Sequence, residues 1–155
     1  MTLIHYAFEP VTLEPRNVEQ SVDLKPSGLW VSDGTEWLDW CRSEEFRTDK
    51  PWFSHEVILA PEAEILTLGS AEGIRTFTRR YGRKITPGFD SHRIAWDEVA
   101  ADYDGILITP YQWSCRNGAG TFWYYGWDVA SGCIWNTSVV SLGQGQLVEF
   151  AGVDS

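Results

Sequence analysis

The chain has 155 residues, a length that fits one domain over residues 1–155 with one sizeable core. Its 22 acidic residues outnumber 12 basic ones and give a formal net charge of −10, which repels phosphate backbones and argues against extended binding to nucleic acid. No apolar run approaches the roughly 20 residues that span a bilayer, and the N-terminus lacks the pattern of a signal peptide. We therefore expect a cytoplasmic protein that has no membrane contact.

The first half of the chain predicts short strands, polar connections and two helices. Short apolar runs predict strands at residues 3–8, 28–32, 55–59 and 65–68. Polar segments and segments that contain proline or glycine predict loops at residues 44–54 and 83–92, and a loop or a short edge strand at residues 10–24. Thr35 is placed to cap a short helix that contains Trp37 and Trp40, and Ser70 and Gly82 bracket a second helix.

The second half predicts one more helix and four strands. Trp96, Val99 and Tyr103 share the inner face of a short helix that ends before Gly105. A polar loop is predicted at residues 115–120, and strands are predicted at residues 106–108, 121–126, 132–136 and 146–150. Because strands and helices do not alternate regularly, the pattern favours an α+β protein with a mainly antiparallel β-core and two or three short helices.

Nine tryptophans make aromatic side chains the most distinctive feature of the composition. They are compatible with a Trp-rich core and also with platforms that stack on rings or sugars, and composition alone leaves both open. In the strand at residues 28–32, the period of two places Gly28, Trp30 and Ser32 on one face. That face has open space beside an aromatic side chain, which favours a stacked ring over close packing.

Histidine and cysteine show no metal-ligand spacing. His5 lies in an apolar strand, where a lone histidine is either a hydrogen-bonded core residue or a catalytic group. Cys41, Cys115 and Cys133 form no CxxC pair and are expected to be reduced thiols, so no metal site is predicted. The zinc-protease, serine-hydrolase, P-loop and dinucleotide-fold motifs are absent from the sequence.

A second candidate segment lies late in the chain. Asp128 and Ser131 are polar residues between Trp127 and the apolar run Cys133 to Trp135. Asp128 either caps a turn or supplies a carboxylate that stabilises a positive centre. Lys25, near the aromatic strand, is either a surface charge or a ligand contact.

Together these segments resemble the ADP-ribosyltransferase family, in the branch that uses a histidine, an aromatic residue and a late carboxylate. The run Gly28 to Ser32 is similar to the Gly-Ile-Tyr-Phe-Ala strand of poly(ADP-ribose) polymerases, and Trp40-Cys41 falls where their Tyr-Cys occurs. Residues 103–106 are similar to a Tyr-Asp-Gly-Val strand of bacterial members, and residues 130–136 to the strand that bears the family's glutamate. Tyr6 stands where the family has a glycine after its histidine. Ser131 occupies the glutamate position, with Asp128 three residues earlier.

The resemblance implies a split antiparallel fold and an NAD-dependent mono-ADP-ribosyltransferase or NAD glycohydrolase. NAD would then be the substrate, without a metal, and the acceptor would be a protein rather than a nucleic acid. In this reading His5 holds the adenosine ribose, Trp30 stacks on nicotinamide, and Asp128 carries the electrostatic role or Ser131 positions a ribose hydroxyl. The expected NAD-binding residues are His5, Tyr6, Lys25, Gly28, Trp30, Ser32, Trp37 and Trp40, and the expected catalytic residues are Asp128, Ser131 and His5.

Two other functions fit the same sequence. The first is a catalytically inactive protein of that fold that binds NAD or a related nucleotide, or inhibits a partner through its acidic surface. The second is a Trp-rich β protein that binds sugars by stacking. NAD cleavage distinguishes the enzyme from both alternatives.

Overall fold

The structure is a computed structural model that describes residues 1–84 and 92–148. The strands are β1 Leu3–Ala7, β2 Val22–Asp23, β3 Leu29–Asp33, β4 Trp52–Leu59, β5 Ile65–Leu68, β6 Gly82–Lys84, β7 His92–Ala95, β8 Gly105–Ile108, β9 Ser131–Ile134, β10 Val140–Leu142 and β11 Gln146–Val148. The helices are α1 Glu36–Ser43, α2 Ala71–Tyr81, α3 Trp96–Asp102 and α4 Trp113–Arg116, with 3-10 turns at Phe122–Gly126 and Thr137–Val139.

The protein is α+β, with a mainly antiparallel mixed sheet of eight strands and a smaller sheet of three. The large sheet has the order β10-β4-β1-β3-β9-β8-β5, and β11 also pairs with β4. Only β5 and β8 pair in parallel within the part of the chain that the structure describes. The small sheet has the order β2-β7-β6. The predicted class and the mainly antiparallel pairing are therefore confirmed, whereas the prediction of two or three short helices is wrong: the described residues form four, and α4 extends into the loop predicted at residues 115–120.

The register of the central strands defines two faces of the large sheet. Ile4 pairs with Ser32, and Ser32 pairs with Ser131, so these side chains lie on one side, which we call the front face. Tyr6 and Trp30 follow Ile4 and Ser32 by the period of two and share that face. Leu3, His5, Leu29 and Val31 alternate with them on the opposite side, the back face.

Both faces of the sheet are covered by packed apolar side chains. On the front face, α2, α3 and the 3-10 turn at 122–126 enclose the largest buried cluster, which includes Phe77, Trp96, Trp123, Trp127 and Trp135. On the back face, Leu3, Leu29, Val31, Val57, Leu107, Ile134 and Val139 form a second cluster. A third and smaller cluster joins α1 to β4 through Leu38, Cys41 and Trp52. The gap between the first and third clusters lies over the front face of β1 and β3.

Helix α2 begins and ends where its sequence predicts. Ser70 Oγ accepts a hydrogen bond from the Gly73 N–H at 3.0 Å, and Gly82 follows the last helical residue. Helix α1 begins after Thr35, but the Thr35 side chain makes no capping bond. The Ser32 hydroxyl accepts from the Trp37 N–H at 3.0 Å instead, so a strand residue on the front face fixes the start of this helix.

Three predicted boundaries are wrong. The predicted strand at residues 121–126 is instead a 3-10 turn, Phe122–Gly126, because Trp123 and Tyr124 are both buried and a half-buried strand would expose one of two consecutive side chains. Strand β4 begins at Trp52, inside the predicted loop, since Trp52 and Phe53 continue the β-prone run that contains His55. The irregular segment predicted at residues 83–92 overlaps the end of β6 and the first residue of β7, and its residues 85–91 lie outside the described part. Residues 149–150 of the last predicted strand also lie outside it.

Candidate functional site

A cavity of about 280 Å³ lies over the front face of the large sheet, and we call it the front pocket. Its floor consists of side chains from three neighbouring strands: Ile4 and Tyr6 of β1, Trp30 and Ser32 of β3, and Ser131 of β9. These residues meet because each strand contributes alternate residues to the same face. The floor is therefore set by the register of the sheet.

Aromatic side chains form two walls of the front pocket. Trp37 of α1 and Trp52 of β4 form one wall, with ring centroids 6.1 Å apart in an edge-to-face arrangement. Residues 126–129 form the other wall, where Trp127 packs edge-on against Trp30 at 5.0 Å. The result is a space between aromatic rings, a shape that suits a flat ligand.

Lys25 lies at the edge of the front pocket with its ammonium 5.4 Å from the centre of the Trp30 ring. Its stem crosses Gly126, where an added Cβ would come within 2.9 Å of Lys25 Cε. Within residues 1–84 and 92–148, Lys25 makes no ion pair with a carboxylate. Lys25 therefore offers a cation to a ligand that enters the pocket.

Asp128 supplies a carboxylate to the same pocket. Arg116 lies 3.8 Å away, and the two side chains are 24% and 30% exposed for arginine and aspartate respectively. Arg116 also donates to the Tyr111 hydroxyl at 3.2 Å, so this guanidinium is held in place. The carboxylate therefore lies at the pocket wall beside a guanidinium that is itself hydrogen-bonded.

The hydroxyl groups of the pocket are bonded to the backbone. Tyr6 donates to the Gly34 carbonyl at 3.1 Å, and Ser131 donates to the Val129 carbonyl at 2.9 Å. Burial, with a smaller contribution from the Asp39 carboxylate, raises the pKa of Tyr6 to about 12, so Tyr6 is a neutral phenol at physiological pH. Ser131 is 9% exposed, and its hydroxyl holds the turn that precedes β9.

The structure brings seven of the predicted site residues together. Those that line the front pocket are Tyr6, Lys25, Trp30, Ser32, Trp37, Asp128 and Ser131. His5, Gly28 and Trp40 do not line it. On β1 the alternation places Tyr6 in the pocket and His5 on the back face. Gly28, which the period of two grouped with Trp30 and Ser32, precedes β3 and lies outside the pocket, so that part of the prediction is wrong.

His5 lies on the back face and contacts the site only through the backbone. Its Nδ1 donates to the Trp30 carbonyl at 2.6 Å, because a carbonyl can only accept and this nitrogen must carry the proton. Burial lowers the pKa of His5, the Trp30 carbonyl opposes that effect, and His55 adds to it. His5 thus fixes the strand that carries Trp30 and does not face the pocket.

Gly28 and Trp40 support the site from outside the front pocket. A Cβ on Gly28 would come within 2.6 Å of the Ile134 carbonyl oxygen, so the glycine permits close approach of β3 to the end of β9. Trp40 stacks on Trp37 with ring centroids 5.2 Å apart and planes 13° apart. The first residue sets the spacing of the floor strands, and the second supports one wall.

Sequence reasoning missed three contributors to the pocket: Trp52, Trp127 and Arg116 as the partner of Asp128. The polar residues around Trp52 predict a loop, although the β-prone residues that follow it indicate a longer strand. Trp127 lies at the boundary of the late segment and carries no signal of its own for the pocket. The Arg116–Asp128 pair joins residues twelve positions apart and carries no local signal.

Comparison of the chain with protein-family models, curated proteins and solved structures finds no match. Among the described residues, no group of three or more histidine, cysteine, aspartate or glutamate side chains is arranged to hold a metal ion. No helix in that part of the chain is long and apolar enough to cross a membrane. The interpretation of the site therefore depends on its own geometry and chemistry.

Proposed function

We propose that the front pocket binds the nicotinamide end of NAD and that the protein is a mono-ADP-ribosyltransferase or an NAD glycohydrolase with an ADP-ribosyltransferase-like fold. The observation that carries the proposal is the position of the segments on which the resemblance depends. Residues 5–6, 28–32 and 130–136 are far apart in the sequence. They nevertheless overlap β1, β3 and β9, three strands that lie side by side in the large sheet. The pocket lies over those three strands.

The shape of the pocket supports one flat ring with an attached sugar. Pockets that bind drug-sized ligands usually measure about 300–1,000 Å³, and this cavity of about 280 Å³ is just below that range. Trp30, Trp37 and Trp127 provide aromatic surfaces around it. We therefore place nicotinamide and its ribose inside, with the rest of the dinucleotide toward Lys25, whose ammonium attracts a pyrophosphate.

Asp128 is the group that we propose for the chemical step. Cleavage of the bond between nicotinamide and ribose develops oxocarbenium-like positive charge, which a nearby carboxylate stabilises. Nicotinamide leaves with the bonding electron pair, and water or an acceptor nucleophile then attacks the ribose carbon and loses its proton. Ser131 has no charge to contribute, and its hydroxyl donates a hydrogen bond to the Val129 carbonyl, so its proposed role is to hold the wall at residues 126–129.

His5 has a positioning role in this proposal. Because its ring lies on the back face, it does not contact the adenosine ribose from there; it holds the Trp30 carbonyl at 2.6 Å. The acceptor that we propose is a protein, since a chain with net charge −10 repels nucleic acid.

A second candidate is a protein of the same fold that binds NAD or a related nucleotide without cleaving it. The Arg116 guanidinium 3.8 Å from the Asp128 carboxylate favours this candidate, because a neighbouring cation offsets the negative charge that the transition state requires. Sugar binding has weaker support. Five of the nine tryptophans are buried and belong to the core, which accounts for much of the tryptophan content without a ligand.

Incubation with NAD tests the proposal directly, with free nicotinamide as the measured product. We expect release above the rate without protein, and a raised melting temperature with NAD but not with a panel of sugars, since a ligand that binds only the native state stabilises it. A melting temperature raised by NAD without nicotinamide release would favour the second candidate. Stabilisation by sugars alone would contradict both.

A further inference from the structure

Ser32 lies in the middle of the pocket floor and is bonded to one of the pocket walls. Its Cα pairs with Ile4 on one neighbouring strand and with Ser131 on the other. Its side chain lines the front pocket, although the residue is only 4% exposed. The Ser32 Oγ accepts a hydrogen bond from the Trp37 N–H at 3.0 Å. A floor hydroxyl therefore serves the backbone of the residue whose ring forms part of the wall.

Helix α1 depends on this bond for the start of its first turn. The first N–H groups of a helix have no partner inside the helix, and a side chain just before the helix usually accepts a hydrogen bond from one of them. Thr35 occupies that position, but its hydroxyl donates to the Asp39 carboxylate at 3.0 Å and accepts no backbone N–H. Within the described ranges 1–84 and 92–148, Ser32 is the one side chain that accepts from the first turn of α1.

Trp37 is the second residue of α1, so the bond to its N–H fixes the point from which its ring extends. The ring stacks on Trp40 at 5.2 Å with planes 13° apart, and it meets Trp52 edge-on at 6.1 Å. These contacts hold the ring within the wall. The Ser32 bond ties that wall to the floor.

The opposite wall is tied to the floor in the same way. Ser131 pairs with Ser32 across β9 and β3, and its hydroxyl donates to the Val129 carbonyl at 2.9 Å. Val129 belongs to the wall at residues 126–129. Two serines that are paired in the sheet thus each bond to the backbone of one wall, and the space between the walls follows from the register of the floor strands.

We propose that Ser32 is a positioning residue that sets the width of the front pocket by holding Trp37 at the floor, and that it acts on the ligand through the Trp37 ring. This inference rests on the proposed function and deepens it, because the nicotinamide ring must fit between the two walls. Ser32 supplies no charge to the chemical step, which we assign to Asp128. Loss of the Ser32 bond therefore weakens binding and leaves the rate of the bound complex unchanged.

The substitution Ser32→Ala removes the bond to the Trp37 N–H, and Thr35→Ala is the matched control, because the Thr35 side chain caps no backbone group. We expect Ser32→Ala to weaken NAD binding by about 2- to 30-fold in calorimetry, the range for loss of one helix cap. The KM for nicotinamide release should rise by a similar factor while kcat stays within about 2-fold of the wild type. Ser32→Thr keeps the hydroxyl and should restore most of the affinity. If Ser32→Ala does not fold, Ser32→Cys replaces it, since a thiol is a weak acceptor of similar size.

A double-variant cycle shows whether Ser32 acts through Trp37. In Trp37→Ala protein the ring is absent, so adding Ser32→Ala should weaken NAD binding by less than about 2-fold more. If Trp37→Ala does not fold, the Trp37 Nε1–H resonance of ligand-free, ¹⁵N-labelled protein replaces the cycle: it should move in Ser32→Ala and stay in place in Thr35→Ala.

A full further loss of affinity in the Trp37→Ala background would make Ser32 a direct ligand contact and overturn this inference. Wild-type affinity in folded Ser32→Ala protein, or an unmoved Trp37 resonance, would overturn it as well. These results would leave the proposed function standing. Failure of the wild type to bind NAD would overturn the proposed function, and this inference with it.

Discussion

Trp30 is the residue on which the shape of the front pocket most depends. Its ring forms part of the floor, packs 5.0 Å from Trp127 and lies 5.4 Å beneath the Lys25 ammonium. It is half-buried, so one part of the ring contacts the core and another faces the cavity. Such a ring can stack on a ligand without first leaving the core.

The substitution Trp30→Ala should weaken NAD binding by about 5- to 150-fold. The reason is the loss of a stacking surface, which is worth about 1–3 kcal/mol for a base on an aromatic side chain. Isothermal titration calorimetry measures the affinity, and Trp113→Ala is the matched control, since Trp113 is 71% exposed and lies outside the pocket. Unchanged affinity in folded Trp30→Ala protein would rule out stacking on this ring.

Asp128→Asn should lower the rate of nicotinamide release by about 10²-fold while NAD affinity changes little. The amide keeps the shape of the side chain and removes the charge that stabilises the oxocarbenium-like state, and loss of one such electrostatic group costs about 10²–10³ in rate. The control is Asp49→Asn, an exposed aspartate outside the pocket. Full activity in Asp128→Asn would assign the electrostatic role to another group.

At the scale of elements, the close approach of β3 and β9 is what places Trp30 and Ser131 on one floor. Gly28→Ala should lower the free energy of unfolding by about 1–3 kcal/mol, because the new methyl group meets the Ile134 backbone at 2.6 Å and the strands must separate. Chemical denaturation measures the change. Gly69→Ala is the control, since its Cβ would have no neighbour nearer than 3.5 Å. Equal stability of the two variants would contradict a structural role for Gly28.

Local signals predicted several elements well and failed where long-range packing decides. Helix α2 follows from Ser70, Gly82 and the spacing of apolar residues between them, all of which are local. The turn at residues 122–126 does not, because its aromatic residues favour a strand locally and become helical only when Trp123 and Tyr124 are buried together. The parallel pairing of β5 with β8 also depends on packing that no local pattern reveals.

The candidate site shows the same division between local and distant information. The period of two correctly places Trp30 and Ser32 on one face, and it also separates His5 from Tyr6, although the sequence interpretation grouped them in one site. Trp52 and Arg116 join the site only through the fold, from a strand and a helix far from residues 28–32. Sequence thus predicts the floor, whereas the walls depend on tertiary packing.

For the whole molecule, we expect stability to fall as the pH drops below the ordinary histidine pKa of 6.5. Burial lowers the pKa of His5 in the folded state, so below pH 6.5 the unfolded chain binds a proton that folded His5 still excludes. Above 6.5 both states are neutral at this residue and the full stability is present. Denaturation at pH 7.5 and 5.5 should show a smaller drop for His5→Gln than for the wild type; an identical drop would exclude His5 as a cause.

The measurement that tests the central claim most directly is a crystal structure of the protein soaked with NAD. We predict the nicotinamide ring in the front pocket against Trp30, with the ribose beside Asp128. The pyrophosphate should lie toward Lys25. NAD bound on the back face beside His5, or density elsewhere with the front pocket empty, would contradict the account.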